Sequence, residues 1–173
     1  MPISADKFCP EENTTQFMKR IRSAGIIMNG EKVMLIHRLN QGKEYYVFPG
    51  GGVEKGESPE EAASREIGEE TSLKAKIGKL LYHHVYDDDT EQFFYLCRYL
   101  SGEPKLGEAN EAREMKENNA SLYTPEWHEV KELPKLLLYP LEIRDWFMDD
   151  IKSDFKNTPR EATLKTSELR ESL

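Results

Sequence analysis

The sequence predicts an α+β fold built as one domain, and three observations carry that expectation. Two apolar, β-branched runs flank Asn29-Gly30, the pairing that marks a short hairpin most strongly. The stretch from Ser58 to Thr71 carries a full set of helix-start signals. Further strand-like runs follow without the regular βαβ alternation of a parallel α/β sheet. At 173 residues the chain can bury one sizeable core.

Taken in order, residues 1–16 are polar, hold two prolines and show no periodicity, so they read as a tail or a cover strand. The domain itself is expected over residues 17–155. "KRIRSAGIIMNGEKVMLIHRL" supplies the hairpin, and "YYVFP" supplies a third short strand closed by proline and glycine. In the helix, Ser58 is the N-cap, Pro59 occupies the first turn and Glu61 completes a capping box. "LKAKIGKLLYHHVYD" and "EQFFYLCRYL" are two strands around "DDDTE", and "PEWHEV" is one more. A short helix is expected around "EANEAREMKE". A longer one is expected over 140–155, where Leu141, Met148, Ile151 and Phe155 recur at helical spacing. Residues 156–173 read as a tail, flexible or forming a short terminal helix.

Composition narrows the function classes. A net charge of −8 with no Lys/Arg-rich run argues against a nucleic-acid polymer as partner. No apolar run reaches the roughly 20 residues of a membrane span, and the N-terminus lacks the apolar core of a signal peptide. Cys9 and Cys97 lie far apart, without metal-site spacing. The expectation is a cytoplasmic protein with two free thiols.

The acidic helix decides more. Counting 100° per residue from Ala62 places Glu66 near 40°, Glu69 near 340° and Glu70 near 80°, an arc of about 100° shared with Ala62 and Ala63 and bordered by Ile67. Glu60, Glu61, Ser64, Arg65 and Gly68 take the other face. A solvated acidic face would put the charges opposite the alanines. Like charges at i,i+3 and i,i+4 repel by roughly 0.2–0.5 kcal/mol per pair on a wet surface. A divalent cation removes that repulsion, and oxygen ligands suit a hard ion, Mg²⁺ or Mn²⁺, better than zinc. On helix geometry alone, a metal site and a surface helix stay equally open.

The wider spacing resolves them. Gly51, five residues, Glu57, seven residues, Arg65-Glu66-Ile67, one residue, Glu69-Glu70, then Thr71, Ser72 and Leu73 resembles the Nudix box, GX5EX7REUXEEXGU, with U a bulky aliphatic. Six of the seven fixed letters match; Ser72 stands in place of the box glycine. The resemblance implies a Nudix-type α/β/α sandwich with a mixed sheet and a loop–helix–loop motif, in which the glycines form the turn. It implies a metal site of Gly50 (through its carbonyl), Glu66, Glu69 and Glu70, and a loop braced by Glu57 and Arg65. It implies Mg²⁺-dependent hydrolysis of a nucleoside diphosphate linked to another moiety, by water attack at phosphorus, with Glu66, Glu69 or an acid from a later loop as base.

Other features carry less. The family often places one more acid shortly before a late-strand tryptophan, here Trp127, yet "NNASLYTP" holds none; Glu111 and Glu114 are substitutes, and Glu126 reads as a strand residue. Asp87–Asp89 read as a hairpin turn. His83 and His84 fall on opposite strand faces, with structural roles. Tyr45, Tyr46 and Phe48 read as core, and Arg22 and Arg38 as surface salt-bridge residues rather than phosphate ligands. Residues downstream of the box, Asp89, Thr90 and Glu91, match neither the proline of ADP-ribose enzymes nor the tyrosine of dinucleoside polyphosphate enzymes. Nucleoside triphosphates are the preferred substrate; ADP-ribose or nucleotide sugars and dinucleoside polyphosphates are the alternative. A catalytically inactive nucleotide-binding module would tolerate loss of Glu66, Glu69 or Glu70, and all three are present. A metal-free acidic interaction protein leaves their shared face unexplained. A homodimer stays open.

Overall fold

The computed structural model describes residues 20–40, 42–107 and 122–166. The expected N-terminal tail over 1–16, the helix around 108–117, Cys9, Glu111 and Glu114 lie outside the described residues.

The hairpin forms where the sequence placed it. β1 (Ile21–Asn29) and β2 (Lys32–Asn40) are joined through Gly30, whose φ of 60° suits glycine. They stay paired only at Met28↔Val33 and Asn29↔Lys32. Beyond that point β2 turns away and pairs with β3 (Lys43–Val47) on one edge and β7 (Leu122–Glu129) on the other. The edge of β1 left open is taken by β4 (Gly50–Gly52), through Ala24↔Gly50 and Arg22↔Gly52. The opposite edge of β1 pairs in parallel with β6 (Glu91–Ser101), which pairs antiparallel with β5 (Lys74–Tyr86). A two-residue β8 (Leu138–Tyr139) and β9 (Arg160–Leu164) complete a mixed sheet of order β8-β3-β2-β1-β6-β5-β9.

Alternation along the central strands fills two layers. Ile27, Met34, Tyr95 and Cys97 point to one face and pack on Ala63 and Ile67 of α1 (Pro59–Thr71). Ile26, Leu35 and Phe94 point to the other and pack on Ile143 and Phe147 of α2 (Leu141–Asp150). Helix α1 lies so close to β1 that a Cβ on Gly25 would fall 2.5 Å from Ile67 Cδ1. Ile67→Ala would empty this contact at a cost of about 2–5 kcal/mol.

The start of α1 is the capping box read from the sequence. Glu61 N–H donates to Ser58 Oγ at 3.2 Å, and Ser58 N–H donates to Glu61 Oε2 at 2.8 Å. Its end is a left-handed cap at Ser72, φ 58°. The C-terminal helix is shorter than expected. α2 stops at Asp150, a single 3₁₀ turn spans Ile151–Ser153, and Asp154 and Phe155 adopt φ of 53° and 55°. This turn sends the Phe155 ring back against Phe147, with centroids 5.7 Å apart. The buried face is Ile143, Phe147 and Asp150, while Leu141 is exposed. Residues 160–164, within the expected tail, form edge strand β9 instead. Among the described residues no helix is long and apolar enough to cross a membrane.

Candidate active site

The site grows from the junction between β3 and α1. Phe48 is anchored in the core, and Pro49 O accepts from Gly25 N–H at 2.9 Å. The three glycines that follow are not the expected turn; they are strand β4. The reason is crowding. A Cβ on Gly50 would collide with the Ser23 carbonyl and Ala24, and one on Gly51 with the Glu66 carboxylate. The turn comes later, at Gly56, φ 87°.

Arg65 ties this loop to the helix. Its Nε and Nη2 donate to the two Glu57 oxygens at 2.9 and 3.0 Å, a bidentate pair, and Nη2 also reaches Gly52 O at 2.9 Å. Glu57 in turn accepts from Glu54 N–H at 3.0 Å. The Arg65 hydrogen bonds hold the Glu57 carboxyl below its usual range. The remaining nitrogen, Nη1, bridges Glu66 Oε1 at 2.7 Å and Glu69 Oε2 at 3.3 Å. Glu69 is the most open of these acids, with 48% of its side chain exposed.

Glu70 faces inward. Its Oε2 accepts from Gly50 N–H at 2.8 Å and its Oε1 from the Tyr123 hydroxyl. Burial pushes its pKa up to about 7; the two hydrogen bonds pull it down, and the Glu66 charge adds to the rise. Burial also raises the Tyr123 phenol, so it stays protonated and donates.

The structure therefore joins Glu57, Arg65, Glu66 and Glu69 in one network and Gly50 with Glu70 in another. Among the described residues no three carboxylates already converge as a ligand set. The donors nevertheless fit a hard cation. All are oxygens, a glycine at position 51 leaves room for Glu66, and Glu70 is a buried acid that a positive charge would stabilise. Arg65 supplies that positive charge for Glu66 and Glu69.

Beside Gly50 opens a cavity of about 440 Å³. Arg20, Arg22 and Arg38 line it, with Tyr86, Gln92 and Tyr139 among its other walls. None of the three arginines makes an ion pair among the described residues, contrary to the surface salt bridges expected for Arg22 and Arg38. Burial and the neighbouring Arg20 lower the Arg22 pKa, while Glu70 and Glu66 raise it. The Arg38 guanidinium lies over the Tyr123 ring, 5.1 Å from its centroid.

A family model for the NUDIX domain matches residues 19–149. The chain belongs to the NUDIX family. Among curated proteins it is 38% identical over 118 residues to an ADP-ribose pyrophosphatase of Methanocaldococcus jannaschii, covering 65% of this chain and 63% of that protein. It is 37% identical over 89 residues to an 8-oxo-dGTP diphosphatase of Haemophilus influenzae, covering 47% and 65%. The chain thus spans less than two thirds of the length of these relatives. A NUDIX hydrolase structure from Nitrosomonas europaea superposes with a TM-score of 0.62 at 16% identity, over 85% of this chain and 78% of that one. That likeness establishes the NUDIX fold, with α1 and α2 on opposite faces of the mixed sheet.

Sequence reasoning missed Tyr123 and Arg20. Tyr123 lies in the very stretch searched for an acid before Trp127, and it reaches Glu70 as a phenol instead. The other minor features hold the roles read for them. Asp87–Asp89 form the β5–β6 turn, His83 pairs with Glu91 and Glu161, and His84 is fully buried. Glu126 sits in β7, bonded to His37.

Proposed function

We propose that this NUDIX protein hydrolyses a diphosphate anhydride in a nucleotide, with nucleoside triphosphates as the preferred substrate. The observation that carries the reading is the cavity beside Gly50, where three arginines without ion-pair partners among the described residues adjoin the acidic edge of α1. In a chain of net charge −8, that is where an anionic phosphate chain finds compensation.

Gly50, Glu66, Glu69 and Glu70 would hold a divalent cation, Mg²⁺ or Mn²⁺. When bound it would neutralise phosphate charge and acidify water. Arg22 and Arg38 hold the phosphates. Glu69, whose exposure supports the role, takes the proton from attacking water in this reading, with Glu66 as the second candidate. Glu57 and Arg65 fix the loop that carries Gly50–Gly52. ADP-ribose is the second reading, favoured by the named activity of the archaeal relative. A buried free Cys97 accords with a reducing cytoplasm as the compartment.

A panel of nucleoside triphosphates, ADP-ribose and dinucleoside polyphosphates, incubated with Mg²⁺ and analysed for products, tests this. Release of a nucleoside monophosphate and inorganic pyrophosphate from triphosphates is the expected result. No turnover of any member, or full turnover after exhaustive chelation, overturns it.

A further inference from the structure

Strand β9 and Thr166 lie outside the matched family region of residues 19–149, and Thr166 lines the cavity. β9 is firmly held. It pairs in parallel with β5 from Tyr82↔Arg160 to Tyr86↔Leu164. The Arg160 guanidinium binds the fully buried Asp150 and lies over Trp146. Asp87 N–H then donates to Leu164 O at 3.1 Å. One step further, Thr166 N–H donates to Asp87 Oδ1 at 2.8 Å, and the Thr166 hydroxyl donates to the same oxygen. Asp87 thus pins Thr166 at the β5–β6 turn, and Thr166 lines the cavity together with Asp88 and Thr90.

The cavity walls differ in charge. Arg20, Arg22 and Arg38 supply a cationic side. Asp88, Thr90, Gln92 and Thr166 supply a lip with hydroxyls, one amide and one carboxylate. A carboxylate repels phosphate and accepts hydrogen bonds from hydroxyl or amino groups. Asp88 is already oriented by Thr90 N–H at 3.0 Å.

We propose that the Asp88–Thr166 lip, pinned by Asp87, is a specificity-determining element that takes the uncharged, hydrogen-bond-donating part of the substrate, a sugar or base, while the arginines take its phosphates. This rests on the reading of the cavity as the substrate site. Asp87 acts as a positioning residue through Thr166. A ligand anionic on all sides is disfavoured at the lip.

Binding of ATP and of inorganic tripolyphosphate, both as non-hydrolysable methylene-bridged analogues so that turnover does not intrude, measured by calorimetry with Mg²⁺ present, separates the two claims. The native chain is expected to bind ATP at least tenfold tighter than tripolyphosphate. Asp87→Ala and, independently, Thr166→Ala should each cut that preference several-fold by weakening ATP alone. Arg22→Gln should weaken both ligands alike. If Arg22→Gln changes neither ligand, or if the native chain binds neither, the cavity is not the substrate site and the proposal falls with that reading. If Arg22→Gln weakens both but the Asp87 and Thr166 variants leave the ATP preference intact, the lip alone is overturned.

Discussion

Replacing Glu70 by glutamine keeps the size of the side chain and its bonds to Gly50 N–H and the Tyr123 hydroxyl, which can turn to accept from the new amide. Only the charge is lost. Turnover is expected to fall by more than the roughly 10–100-fold typical of outer-shell losses at metal sites, with an unchanged circular dichroism spectrum. Glu60→Gln, on the exposed side of α1, should retain activity, and equal rates in the two variants would remove the acidic cluster from the chemistry. Tyr123→Phe deletes one donor to Glu70. It is expected to lower activity about 10–100-fold, a loss that rising Mg²⁺ should partly restore if the phenol only positions the acid; a rate equal to that of the native chain at every Mg²⁺ concentration would refute the role. Glu57, Arg65, Glu66, Glu69 and Glu70 stand out in the sequence because they fall within fourteen residues, at the spacing of one box. Tyr123 was not. It meets Glu70 across 53 positions, through the register of β7 on β2, Arg38↔Tyr123, which no local pattern encodes.

At the scale of elements, α1 was readable from end to end because both caps are short-range chemistry. Its exit is the strained point. Ser72 holds φ 58° where glycine would sit freely. Ser72→Gly is expected to stabilise the protein by roughly 0.5–1 kcal/mol, the relief of left-handed strain less the added freedom of the unfolded chain. A thermal melt should rise by a few degrees for a chain of this size; a fall would show that the serine side chain contributes more than its backbone strain costs. β9 escaped notice for a different reason. Its half-buried residues, Arg160, Ala162 and Leu164, do alternate with exposed Glu161 and Thr163, but only one of them is strongly apolar. The partner that makes Arg160 a structural residue, Asp150, looks like any other acid near a helix end until the fold buries it. β4 was misread because three glycines signal freedom in a sequence, whereas here they satisfy close packing.

For the molecule as a whole, His84 links stability to pH. Among the described residues neither ring nitrogen has a hydrogen-bond partner; Glu142 Oε2 lies 3.3 Å from Nε2 but outside bonding geometry. Burial, aided by the neighbouring His83, lowers the imidazole pKa to about 4 from the ordinary 6.5. Between those values the unfolded chain binds a proton that the folded chain refuses. This contribution is therefore fully present above about 6.5, drains away as pH falls, and is gone near 4; it amounts to about 3 kcal/mol. His84→Phe should flatten that part of the profile, read from urea midpoints at pH 7 and 4.5, and parallel profiles for the two proteins would contradict the assignment. Folding order is also constrained by the parallel match of β1 with β6. Ile21 pairs with Glu91, about 70 residues downstream, so the central seam of the sheet cannot close early. The β1–β2 hairpin can nucleate within microseconds, yet one long edge of β1 waits, unsatisfied, until β6 arrives. Refolding is thus expected on the slow side for this length, and its yield should drop as protein concentration rises, because a second molecule can offer that waiting edge a strand sooner than the chain can supply its own.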